Sequence, residues 1–477
     1  MQKKRVPIGV GILLLFIFIS GCVSIQSYRN KYDSRPCVNP TSEFSPSCET
    51  HAMQEFPTSD GSRYLLSFIE FDDQGQLLDR KQMESVVNML WDEFRGGKQD
   101  LLIVTFVHGW KHSAASNDDP NIKTFRRVLA KLADDEMQLS KKEERPARKV
   151  AGVYLGWRGK SVDIPLVEEL TFWSRKNAAE RVGHGGVTEL LGNLEQLKRT
   201  KDSMSDSAPA QQKSDKDDLS DSISTPKKSA TRLVIVGHSF GGAIVHSSLV
   251  QILENRLVRT VGPAGRASDA EGFGDLVVLI NPAFEALRFA QLSDMSMERT
   301  YFPSQLPVVA ILTSEADWAT RYTFPIGRNL STLFEHYYPL KRKNRVTGQE
   351  EAIDEAKANV TAIGHFEPYR THELYPSGES PREIAVQNSA ESVRSALMAR
   401  AAWECDESGS KIPIAGLMLE RTKTSAGRNP YLVIKVDGSL ITSHNDIDDA
   451  RIIEFIRQLI LISTQPENPQ EQDRCKQ

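Results

Sequence analysis

"RLVIVGHSFGGAIVHSSLV", residues 232–250, decides the reading of this chain. An apolar run meets a cluster of small residues, Gly237-His238-Ser239-Phe240-Gly241-Gly242, and a second apolar run starts at once. The first run reads as a buried strand and the second as a helix. A serine between glycines at such a junction has the setting of a nucleophile elbow. Small residues at Gly237 and Gly241 let the strand and helix backbones nearly touch, and the sharp turn lifts the serine hydroxyl above the sheet. The helix start offers unpaired N–H groups and the positive end of a dipole. G-x-S-x-G is short and arises readily by chance, so its context carries the reading. The bland alternative is a tight strand-helix turn with no chemistry.

Outward from this motif, strand and helix patterns alternate. Before it come "SRYLLSFIEFDDQGQLLD" (strand, turn at Gln74-Gly75, strand), the helical "KQMESVVNMLWDEF", the buried strand "DLLIVTFVHGW" (100–110), the amphipathic "NIKTFRRVLAKLADDE" and the strand "KVAGVYLGW" (149–157). After it come strands at 275–280, 306–313 and 431–437, then a final amphipathic helix, "DDARIIEFIRQLILI". Such alternation predicts an α/β fold with a mostly parallel, doubly wound sheet. Residues 200–230 are rich in Ser, Asp and Lys and read as a disordered insertion. Residues 320–428 break the rhythm and read as a second, lid-like insertion.

The motifs have a familiar arrangement. The strand order, His108-Gly109 and the Gly237-to-Gly242 elbow resemble the α/β-hydrolase superfamily over roughly residues 62–319 and 430–463, with two insertions. Within it the chain is similar to bacterial esterase- or lipase-like serine hydrolases. The resemblance implies the chain order Ser, acid, His, with Ser239 as nucleophile. It implies an oxyanion hole at the His108-Gly109 turn, built from the backbone N–H groups of Trp110 (or Gly109) and Phe240. The acid is expected after a strand that follows the elbow. Asp317 in "VVAILTSEADWAT" fits best, with Glu315 and Glu285 as alternatives. The base is expected between the last strand and the last helix, where His444 lies. His365 and His372, in "VTAIGHFEPYRTHEL", are the other candidates; their alternative readings are pocket-lining residues from the insertion or hydrogen-bonded surface histidines.

Two further features need weighing. Gly159-Lys160-Ser161 looks like the end of a phosphate-binding loop, but Tyr154 stands where that motif needs a glycine. Trp318, Tyr322, Phe324, Phe334, Tyr337 and Tyr338 could form an aromatic lid over an acyl pocket, although aromatics in a large domain are more often core.

Bulk properties bound the partners. The formal net charge is -4 with no long basic stripe, which argues against nucleic acid. No metal or organic cofactor is implied. Lys3, Lys4 and Arg5 precede an apolar run, Val6 to Ile19, that is too short to span a bilayer comfortably. It ends in Ile19-Ser20-Gly21-Cys22, which resembles the lipobox of bacterial lipoproteins. That resemblance implies a signal peptide over 1–21, acylation of Cys22 and membrane attachment through the lipid. Val23 in place of Asp then favours the periplasmic face of the outer membrane. Residues 22–60 read as a tether and 61–477 as the catalytic domain. Five cysteines leave four beyond Cys22, namely Cys37, Cys48, Cys405 and Cys475, enough for two disulfides in any of three pairings. The expected function is hydrolysis of an acyl ester or related acyl bond in the cell envelope. A non-catalytic envelope scaffold on an inherited fold is the alternative.

Overall fold

A computed structural model describes residues 26–95, 99–159, 172–206, 230–260, 270–332, 335–378, 389–405 and 411–464. In chain order the strands are β1 (Cys37–Val38), β2 (Met53–Pro57), β3 (Arg63–Phe71), β4 (Leu101–Val107), β5 (Lys149–Trp157), β6 (Arg232–His238) and β7 (Leu276–Ile280). They continue with β8 (Val309–Ser314), β9 (Leu340–Lys343), β10 (Glu350–Ile353), β11 (His372–Pro376), β12 (Lys411–Ile414), β13 (Leu417–Arg421) and β14 (Tyr431–Val436).

Twelve of these form one sheet in the order β1-β2-β3-β5-β4-β6-β7-β8-β14-β11-β13-β12. From β3 through β11 every pairing is parallel; β2, β13 and β12 join antiparallel. The central strands read as unbroken apolar runs because both faces are covered. Successive side chains point to opposite faces. Ile103, Leu233, Ile235, Leu279 and Ile311 enter one core with helices Arg80–Arg95, Phe172–Val182, Thr188–Asp206 and Phe240–Arg259. Val104, Val234, Val236, Val278 and Leu312 enter the other with helices Pro120–Lys142, Ser389–Cys405 and Ala450–Thr464. Each fully buried side chain of this kind contributes roughly 1.5–3 kcal/mol, so a charge at Ile235 would break the sheet where the elbow begins.

Two expected segments differ from the sequence reading. Residues 26–57, expected to be a tether, pack on the domain: β1 and β2 extend the sheet. The Arg29 guanidinium is buried 4.3 Å above the Phe68 ring, and its Nε donates to Ala114 O at 2.9 Å. The Tyr28 and Arg29 amides donate to the Glu70 carboxylate at 3.0 and 2.9 Å. A Cys37–Cys48 disulfide closes this segment, and Cys405 is also disulfide-bonded. The region 320–428, expected to be a lid-like insertion, contributes β11, β12 and β13 to the main sheet. Residues 1–21 with Cys22, and most of the 200–230 stretch, lie outside the described residues, although the helix before that stretch runs to Asp206. Among the described residues no helix is long and apolar enough to cross a membrane.

Candidate active site

The site forms where β4, β6, β7, β8 and β14 end at one edge of the parallel sheet. Ser239 caps β6 at φ 57, ψ -121, a backbone region that few non-glycine residues enter. The helix Phe240–Arg259 starts immediately after it. This crossing needs glycine: a Cβ on Gly241 would sit 2.0 Å from the Val107 carbonyl oxygen.

Ser239 Oγ lies 2.6 Å from His444 Nε2. His444 Nδ1 lies 2.9 Å from Asp317 Oδ2. His444 comes from the loop between β14 and the last helix, and Asp317 from the loop after β8. Asp317 is fully buried. Its Oδ1 accepts the Ala319 and Thr320 N–H groups at 3.0 and 3.2 Å, and its Oδ2 accepts the Thr320 hydroxyl. Burial pushes the Asp317 carboxyl up, but the His444 ring and the Thr320 donors outweigh it and hold the group below the usual carboxylate range. Asp317 is therefore a carboxylate at neutral pH.

The turn at His108-Gly109 abuts Ser239. A Cβ on Gly109 would come within 2.7 Å of Ser239 Cβ, so only glycine allows this approach. His108 holds the turn in place. Its Nε2 accepts the Trp157 N–H at 3.0 Å, so Nδ1 carries the proton and donates to Gly109 O at 2.9 Å. The Trp157 indole returns a bond to His108 O at 2.9 Å. Burial drives the His108 imidazole down to a pKa of about 4, so it is neutral. The Phe240 N–H lies in the first turn of its helix, where no carbonyl four residues back can take it. Trp110 follows Gly109, and its ring lies 5.3 Å from that of Phe172, which in turn is 4.9 Å from Phe240. Trp173 and Phe324 extend this aromatic wall, with ring centroids 5.8 Å apart.

The remaining candidates have other surroundings. Glu285 is buried in an ion-pair cluster, 2.8 Å from Lys176 Nζ, 2.8 Å from Arg288 Nε and 3.0 Å from Arg328 Nε. Glu315 pairs with Lys435 at 3.0 Å. His372 is buried in β11 with Nδ1 2.9 Å from Thr371 Oγ1. His365 stands behind Asp317, its Nε2 2.9 Å from Thr320 Oγ1. Of the six lid aromatics, Phe324 is core, Trp318, Tyr322 and Tyr338 are exposed, Tyr337 is half-buried and Phe334 lies outside the described residues. Lys160 and Ser161 also lie outside them. Among the described residues no group of three or more His, Cys, Asp or Glu could hold a metal ion.

The sequence reading missed His238, Asn281, Ser314 and Thr320. His238 Nε2 and Asn281 Nδ2 lie 3.0 and 3.1 Å from the His444 carbonyl oxygen. Thr320, three residues after Asp317, was the one with a local signal, because an Asp followed by a hydroxyl at that spacing can cap a turn.

No protein-family model matches the chain, and no curated protein matches it. A solved structure described as "Phospholipase PlaB from Legionella pneumophila" is similar to it at 14% identity and a TM-score of 0.21, covering 59% of this chain and 48% of that one. The chain thus spans about half the length of that structure, and a likeness of this degree carries no argument about the site.

Proposed function

We propose that the chain is a serine hydrolase of α/β-hydrolase type that cleaves a carboxylic ester or related acyl bond. The observation that carries this reading is the hydrogen-bonded line from Ser239 Oγ through His444 to Asp317, at 2.6 and 2.9 Å. A serine hydroxyl is a weak nucleophile until a base is in reach. In this reading His444 Nε2 takes the Ser239 proton as Oγ attacks the acyl carbonyl. Asp317 accepts from Nδ1–H and stabilises the imidazolium that forms. The Phe240 and Trp110 N–H groups hold the oxyanion. The tetrahedral intermediate then collapses, and His444 returns the proton to the leaving oxygen. Water repeats the sequence on the acyl-enzyme and frees Ser239.

The test is fluorophosphonate labelling together with turnover of short acyl esters. Wild-type protein is expected to be labelled and active. Ser239→Ala is expected to lose labelling and at least about 10⁴-fold in kcat while keeping its unfolding midpoint. Wild-type turnover by that variant rejects the triad in favour of a non-catalytic scaffold.

The same reading places the enzyme in the envelope, anchored by lipid on Cys22 and acting on the periplasmic side of the outer membrane. Its support is the lipobox-like Ile19-Ser20-Gly21-Cys22 after a basic and apolar leader. Cys22→Ala is expected to abolish partitioning into the detergent phase. Unchanged partitioning of that variant rejects the anchor.

A further inference from the structure

We propose that His238 and Asn281 are positioning residues that clamp the main-chain carbonyl of His444 and so hold its imidazole between Ser239 and Asp317. This rests on His444 being the base of the proposed hydrolase. His444 sits in a loop whose neighbours Thr442, Ser443 and Asn445 are exposed. The nearest apolar anchors are Ile441 and Ile447, three residues away on either side. Between them, an exposed loop is free to drift unless polar contacts fix it. The imidazole, however, must be placed to within a few tenths of an ångström for proton transfer.

The clamp supplies that constraint from three strand ends. His238, at the end of β6, places Nε2 3.0 Å from the His444 carbonyl oxygen. A carbonyl only accepts, so His238 carries its proton on Nε2. Asn281, just past β7, donates from Nδ2 to the same oxygen at 3.1 Å. Its Oδ1 accepts the Ser314 N–H at 3.0 Å, so the side-chain amide bridges the base loop and the end of β8. Ser314 Oγ donates to Ile441 O at 2.6 Å and accepts the Ala316 N–H at 3.0 Å, tying the base loop to the segment that leads into Asp317. Asn281 adopts φ 44, a region where Asn is one of the few tolerated residues. His238 is fully buried and its Nδ1 has no hydrogen-bond partner among the described residues. A buried polar atom left unpaired is a cost to the fold that a leucine would not incur. The Nε2–H bond to the base loop is what that imidazole provides in return. Among the described residues no hydrogen bond joins His238 to the Ser239 hydroxyl or to Asp317; it reaches His444 through that carbonyl and through its ring, 5.4 Å from the His444 ring.

The experiment compares His238→Leu, His238→Gln and Asn281→Gly in the full chain. His238→Leu removes the donor, and His238→Gln keeps an N–H that can reach the carbonyl. Asn281→Gly removes the second donor while tolerating the positive φ. His238→Leu and Asn281→Gly are expected to lower kcat about 10- to 100-fold with KM changed less than about threefold. His238→Gln is expected to restore most of kcat. Proton NMR of the low-field His444 Nδ1–H, shared with Asp317, gives a readout that a loss of stability alone does not move. That resonance is expected in wild type and in Ser239→Ala, and broadened in His238→Leu. If His238→Leu and Asn281→Gly both keep wild-type kcat and the sharp resonance, the clamp is overturned. If Ser239→Ala remains active, it is the hydrolase reading that fails. Should His238→Leu not fold, Asn281→Gly and His238→Gln decide the matter by the same two readouts.

Discussion

The two sides of the site are built differently. On the Ser239 side, β4, β6 and the helix Phe240–Arg259 meet with no free space, and glycines are required where backbones cross. The histidines there, His108, His238 and His246, are buried and neutral. On the acid side, Asp317 is held by short polar bonds from its own turn, and solvent begins one residue later at Trp318. Trp318, Tyr322 and Ile326 form an exposed apolar stripe along that segment. One side fixes its atoms by steric exclusion, the other by hydrogen bonds. The first kind of order fails abruptly on substitution, whereas the second degrades by steps.

A pair of glycine substitutions tests this most severely. Gly241→Ala would drive a Cβ to 2.0 Å from Val107 O, a backbone atom that cannot swing away. We expect it to cost about 3 kcal/mol or more, or to prevent folding. On the acid side a Cβ on Gly438 would meet Ala316 Cβ at 3.1 Å, and Ala316 is exposed and able to give. Gly438→Ala is therefore expected to cost under about 1.5 kcal/mol. Urea unfolding of both variants checks the contrast, and equal costs would erase it.

The same contrast explains how much was legible in the sequence. The strands β4 to β8 and β14 could be read because burial on both faces leaves continuous apolar runs. The placement of Ser239 at a strand-helix junction could be read because that turn needs local glycines, and the placements of Asp317 and His444 because each follows a central strand. The outer strands could not. β11 ends at Pro376 and β12 contains Pro413, and both are short and only partly buried. Residues 26–57 read as a tether because Arg29, Glu70 and Ala114 meet only in three dimensions. His238 and Asn281 were illegible for the same reason: their partner lies 206 and 163 residues along the chain.

A second consequence is in the pH dependence of stability. Burial lowers the pKa of His108 to about 4, and those of His238 and His246 to about 3, from an ordinary 6.5. The unfolded chain therefore binds more protons than the fold at mildly acid pH, and stability rises with pH in that window. The contribution is complete above about pH 6.5 and is lost as pH falls toward 4 and then 3. Each histidine gives a slope of up to about 1.4 kcal/mol per pH unit. Unfolding midpoints at pH 7.5 and pH 5 should differ strongly, and His246→Phe should flatten the slope. A stability independent of pH across this range would mean that these rings are not held neutral.

The smallest effects belong to the acid side. Asp317 as a carboxylate can only accept, so the Thr320 hydroxyl donates to it and its oxygen is left to accept from His365 Nε2–H. His365 thus ends a hydrogen-bonded line that runs through Thr320, Asp317 and His444 to Ser239. Thr320→Val keeps the shape of the turn and removes the hydroxyl, while the Ala319 and Thr320 N–H groups still hold Oδ1. We expect kcat to fall about tenfold with KM unchanged, and Thr320→Ser to recover it. His365→Gln acts one bond further out and keeps a donor toward Thr320. Its loss should be no more than about threefold. Because burial lowers the His365 pKa to about 4, this ring is neutral at pH 7 and adds no charge beside Asp317. A far larger loss, approaching that expected of Ser239→Ala, would make His365 a competitor for the proton rather than the end of a supporting line. It would also show that the Asp317 side tolerates substitution no better than the Ser239 side.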